Sequence, residues 1–116
     1  MARIISIHEV DLLPGADVAS FERFMTNEFC PSIQAWDGWM VRLAKADRGE
    51  RSGKYGLVFE LDTTARDRIT PAHNQFTEES QRLIASAGDL DAKFATYSST
   101  VPGKNTCYTD YVILGT

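Results

Sequence analysis

A chain of 116 residues, 43% of them apolar, is long enough for one domain with a modest core, and its composition is globular, which excludes a disordered chain. A net charge of −4 lacks the basic footprint that nucleic acid or an anionic membrane surface demands. No stretch approaches the ~18 apolar residues of a membrane span, and the start, Met1-Ala2-Arg3, lacks the pattern of a signal peptide, so a cytoplasmic location is expected.

Residues 3–10 (RIISIHEV) are rich in β-branched side chains and predict a strand. Leu13-Pro14-Gly15 is a turn, and Asp17 can cap the helix that follows. Val18, Phe21, Phe24, Met25, Phe29, Ile33 and Trp36 recur at helical spacing and form one apolar stripe. Pro31 lies inside that stripe and should kink or break the helix. Asp37-Gly38 ends it. Residues 39–46 and 54–62 predict two strands joined by the polar loop 47–53. Thr63 or Thr64 can cap a short helix reaching Arg68 or Ile69, with Pro71 beyond it. A further helical region starts near Thr77 and stops at Gly88, and Leu90, Phe94 and Tyr97 suggest one or two more turns. Pro102-Gly103 signals a turn, and residues 106–114 predict the last strand.

This order, over a single domain of residues 1–116, predicts an α+β ferredoxin-like sandwich: a four-stranded antiparallel sheet with helices on one face. The usual arrangement puts the first and third strands in the centre. Side chains alternate along each strand. In the third strand Tyr55, Leu57, Phe59 and Leu61 should meet the helices, and in the second Trp39, Val41 and Leu43. In the first, Ile5 and Ile7 are the bulkier set, which leaves Ile4, Ser6, His8 and Val10 opposite. In the last, Cys107, Thr109, Tyr111 and Ile113 are assigned to the helices, and Tyr108, Asp110, Val112 and Leu114 to the open face. On this reading His8, Arg42, Glu60 and Asp110, one per strand, all share the open face. That face is half apolar and has no helix to cover it. A second copy packed sheet to sheet about a two-fold axis is the economical cover, giving a barrel-like homodimer.

The run from Phe21 to Leu43, FERFMTNEFCPSIQAWDGWMVRL, combines an amphipathic helix, a proline, an Asp-Gly turn and a strand. It resembles the dimeric α/β-barrel superfamily, and within it most of all EthD-like and stress-responsive α/β-barrel proteins, with antibiotic-biosynthesis-type monooxygenases more distant. The resemblance implies the dimeric barrel fold along nearly the whole chain. Members include enzymes and small-molecule binders, so fold alone does not name the chemistry. EthD-like proteins often carry a histidine shortly before the helix proline, where this chain has Glu28-Phe29-Cys30-Pro31.

The candidate site residues are His8, Arg42, Glu60, Tyr108 and Asp110. Glu60 beside His8 can tune the imidazole toward a general base and raise its pKa against partial burial. Arg42 can clamp a carboxylate or enolate. Tyr108 can donate to a bound oxygen, or can simply fill an interface. The four charges can equally be salt bridges that set the register of a dimer. Trp36-Asp37-Gly38-Trp39 either walls a pocket for a flat ligand or pins a turn by aromatic packing. His73-Asn74 reads as an exposed loop. No metal or other cofactor is expected: there is no HxH or HExxH motif, Gly-rich phosphate loop or GxSxG elbow. Cys30 and Cys107 lack metal-type spacing and read as free thiols. Three functions stay open. One is a binder of a small, partly apolar molecule, serving small-molecule catabolism as an accessory protein. Another is a cofactor-independent oxygenase or isomerase acting on an acidic C–H or phenol. The last is a structural dimer.

Overall fold

The computed structural model describes residues 2–71, 76–86, 88–98 and 108–115. His73-Asn74, the Pro102-Gly103 turn and Cys107 lie outside the described residues. Strands β1 (Arg3–Val10), β2 (Met40–Lys45), β3 (Tyr55–Asp62) and β4 (Tyr108–Val112) form one antiparallel sheet in the order β2-β3-β1-β4. The first and third strands are therefore central. With the helices, this sheet is compatible with a ferredoxin-like α+β fold. No helix among the described residues is long and apolar enough to cross a membrane.

The amphipathic stretch after Asp17 is built in three parts: α1 (Val18–Phe24), a π-helical turn over Met25–Phe29, and α2 (Cys30–Gln34). Asp17 caps α1 by accepting from the Ser20 N–H at 3.0 Å. The π turn is the local answer to Pro31, which carries no N–H and would crowd the carbonyl four residues back. Widening the turn, so that the Cys30 N–H reaches the Met25 carbonyl, lets the chain continue with Pro31 in the first turn of α2. The apolar stripe stays continuous, and Phe21, Phe24, Met25 and Phe29 are all buried.

After β3 comes α3 (Thr63–Ile69). Its cap is Asp62, which accepts from the Ala65 N–H at 2.7 Å, in place of the expected Thr63 or Thr64. Then follow α4 (Glu78–Ser86) and α5 (Gly88–Ala95). The helix from Thr77 thus stops just short of Gly88, and Gly88 itself opens the further turns expected around Leu90 and Phe94. The Thr77 hydroxyl accepts from the Ser80 N–H at 3.1 Å and closes the start of α4.

The core lies between the helices and one sheet face. Strand β3 is buried at every second position, Tyr55, Leu57, Phe59 and Leu61, as its alternation predicts. The register then decides the face of β1. Ile4 pairs with Leu61, Ser6 with Phe59, His8 with Leu57 and Val10 with Tyr55. Directly opposed residues share a face. Ile4, Ser6, His8 and Val10 therefore point to the helices, and Ile4, Ser6 and Val10 are buried. The register with β4 pairs Ile4 with Val112, Ser6 with Asp110 and His8 with Tyr108, so those β4 residues join the same side. Both strands are turned over relative to the bulk-based assignment.

The link from helix to β2 depends on Gly38, which has φ of +79° and lies close enough to α3 that an added Cβ would come 3.0 Å from the Ala65 Cβ. An L side chain in this left-handed region costs about 1–2 kcal/mol, before the clash is counted. Gly38→Ala should lower stability by at least that amount in urea unfolding. An unchanged midpoint would mean that the turn re-forms without the left-handed conformation.

Candidate functional site

The expected constellation divides between the two faces of the sheet. His8, Tyr108 and Asp110 lie on the helix side. Arg42 and Glu60 lie on the open side, opposite Val58 and Met40 respectively. Glu60 therefore cannot tune His8, and the open face does not hold all four charged residues.

On the helix side, aromatic rings run edge to face and face to face across the sheet. Trp36 meets Trp39 with centroids 5.3 Å apart, Trp39 meets Phe59 at 5.9 Å, and Phe59 meets His8 at 4.8 Å. His8 then stacks on Tyr108 at 4.8 Å with only 11° between the planes. The chain of rings passes from the beginning of β2 through β3 and β1 to β4. Local chemistry holds its ends. The Trp39 indole donates to the Ala65 carbonyl at 3.3 Å, and Arg68 donates to the Asp37 carbonyl at 2.9 Å, which ties the Trp-Asp-Gly-Trp turn to α3.

Two polar contacts surround the imidazole. Its Nε2 lies 3.1 Å from the Ser6 hydroxyl, which points the same way two residues earlier on β1. Its Nδ1 is buried, and among the described residues it has no hydrogen-bond partner. Asp110, opposite Ser6, is the nearby carboxylate. Arg66 of α3 reaches it at 3.3 Å and also holds Asp67 at 2.9 Å. Burial pushes His8 down from 6.5 to about 4, and the Asp110 charge opposes this without reversing it. The expected upward shift is thus replaced by a downward one, because desolvation of the imidazolium outweighs a carboxylate that Arg66 already holds. His8 is neutral at neutral pH. Burial, and then the Asp110 charge, also raise the Tyr108 hydroxyl, against the opposing effect of Arg66.

Ser6, Phe59 and Arg66 were not among the candidates. Ser6 carried a usable signal: it is a small polar residue inside an apolar strand, in phase with His8. Arg66 carried none, since an arginine in a short polar helix is ordinarily solvated.

On the open side, Ile7, Met40 and Tyr111 are 40%, 42% and 54% exposed. Arg42 donates to the Met40 sulfur at 2.9 Å. Among the described residues neither Arg42 nor Glu60 has an ion-pair partner. Elsewhere, a groove of about 300 Å³ lies beside α1 and α5, lined in part by Arg23, Asn27, Glu28 and Lys93. Lys93 and Glu28 satisfy each other there at 2.8 Å. Among the described residues no three His, Cys, Asp or Glu side chains converge as metal ligands. Cys30 is buried, and burial raises its thiol, which keeps it protonated.

Comparison with protein-family models, with curated proteins and with solved structures finds no match for this chain.

Proposed function

We propose that this protein is a homodimeric α/β barrel of the EthD-like kind, which binds a small, partly apolar molecule bearing a neutral hydroxyl on the helix side of its sheet. The observation that carries the reading is the buried, unpartnered Nδ1 of His8 within a row of aromatic rings. If Nε2 carries the proton toward Ser6, Nδ1 is a bare acceptor; in the other tautomer Nδ1–H is a donor. A hydroxyl satisfies either form. A carboxylate satisfies only the second, and it meets Asp110 and Asp67 against the one guanidinium of Arg66. The packed rings of His8, Phe59 and Tyr108 make the surroundings of that nitrogen aromatic, which suits a ring.

Binding is favoured over base catalysis by magnitude. An imidazole at about 4 facing a phenol near 10 is mismatched by roughly 8 kcal/mol for full proton transfer. His8 then orients a hydroxyl and does not remove its proton. This favours the accessory binder over the cofactor-independent oxygenase or isomerase. Arg42 and Glu60, set apart from His8 on the open side, suit a different task, at the homodimer interface. The exposed Ile7, Met40 and Tyr111 support pairing through the open face.

The reading is tested by titrating the labelled protein with 2-naphthol and following amide and ring resonances. Shifts should centre on Ser6, His8, Phe59 and Tyr108, and His8→Phe should weaken binding about tenfold, the loss of one hydrogen bond to a buried group. Equal affinity in the variant, or shifts confined to other elements, would refute the assignment.

A further inference from the structure

We infer that Arg42 of each copy pairs with Glu60 of the other across the two-fold axis of the homodimer, so that one reciprocal ion pair sets how the two sheets are aligned. The inference rests on the dimer reading above and adds the contact that gives it a register.

On the open face Arg42 stands opposite Val58, and Glu60 stands opposite Met40. The two charges are thus diagonal neighbours on adjacent strands. At this spacing, typically ~7–8 Å between backbones, a direct bond is available only if both side chains lean together. The guanidinium donates instead to the Met40 sulfur, and among the described residues it forms no ion pair with Glu60. Among the described residues both charges remain unneutralised, beside the apolar side chains of Ile5, Ile7 and Val58. Glu9, on the same face of β1, differs in being held by Arg51 at 3.2 Å.

An apolar patch that carries unpaired charges is costly to bury unless the covering surface supplies opposite charges at matching positions. A two-fold axis exchanges residue i with residue j between the copies. A patch that holds one arginine and one glutamate side by side is therefore complementary to itself: an axis passing between them sets each arginine against the other copy's glutamate. An unrelated partner would need its own matching carboxylate and cation. A second copy has both by construction. An anionic membrane would be repelled by Glu60.

The test is sedimentation velocity on wild type, Arg42→Glu, Glu60→Arg and the double exchange. Wild type should be a dimer at micromolar concentration. Each single exchange brings like charges together and should weaken the dimer at least about tenfold, while the double exchange should return to within about threefold of wild type. A wild-type dimer whose affinity is unmoved by either single exchange, or whose double exchange is no tighter than the singles, overturns the pairing and leaves the dimer standing. A wild-type monomer overturns the dimer and the pairing with it.

Discussion

His8→Phe should remove much of the protein's loss of stability between pH 6.5 and pH 4. In the folded protein His8 takes up its proton only near pH 4, whereas in the unfolded chain it does so near 6.5. Between these values the unfolded chain binds the extra proton, so stability rises with pH. The His8 contribution is complete above 6.5 and is lost as pH falls toward 4. At roughly 1.4 kcal/mol per pH unit, the displacement amounts to about 3 kcal/mol, a large part of the 5–15 kcal/mol typical of a small domain. Phenylalanine keeps a flat ring against Tyr108 and Phe59 but cannot titrate. The measurement is urea unfolding at a series of pH values and fixed protein concentration. The wild-type curve should steepen below pH 6.5, and the variant should lack that component while retaining the acid sensitivity of its carboxylates. Parallel curves for the two proteins would mean that His8 is solvated when folded, and the site reading would fall with it.

Phe21→Ala should cost about 3–5 kcal/mol. Phe21 is fully buried, and its ring meets Tyr55 at 5.1 Å, Tyr97 at 5.7 Å and Phe94 at 6.4 Å. It thus joins α1, β3 and the end of α5. Removing the ring loses its transfer free energy and leaves a space whose walls belong to three different elements, so collapse into it is limited. Phe21→Leu retains most of the volume and should cost less than half as much. A loss below about 1 kcal/mol for the alanine variant would show that the helices close over the gap.

Both expectations depend on which way each strand faces, and only part of that was legible in the chain. Strand β3 was legible because large apolar side chains alternate with Gly56, Val58 and Glu60. Strand β2 was legible for the same reason, with Val41 inside and Arg42 outside. Strand β1 was not, because Ile4 and Val10 on one side balance Ile5 and Ile7 on the other. Counting bulk then favours neither face. Strand β4 was ambiguous in the same way, with a tyrosine on each side. Its Tyr108 and Asp110 landed on the helix side only because they are registered against His8 and Ser6. A shift of one residue in pairing reverses the face of every side chain in a strand. One such reversal in β1 and another in β4 moved His8, Tyr108 and Asp110 from the open face to the helix side while leaving Arg42 and Glu60 behind.

What the sequence determined by itself is the set of elements and their kind. The 3.6-residue stripe from Val18 to Trp36, the alternation in β3, the polar hairpin and the cap at Asp17 are local patterns, and local physics suffices for them. Even the interruption at Pro31 was visible, though its form as a π turn was not. What only the tertiary structure decided is which residues meet. The stacking of His8 on Tyr108, the capture of Asp110 by Arg66 and the lowered proton affinity of His8 all arise from contacts between strands or between a strand and a helix. Interstrand register is set by the joint burial of whole faces, and desolvation by everything packed above the ring. Neither quantity is a property of any short stretch of chain.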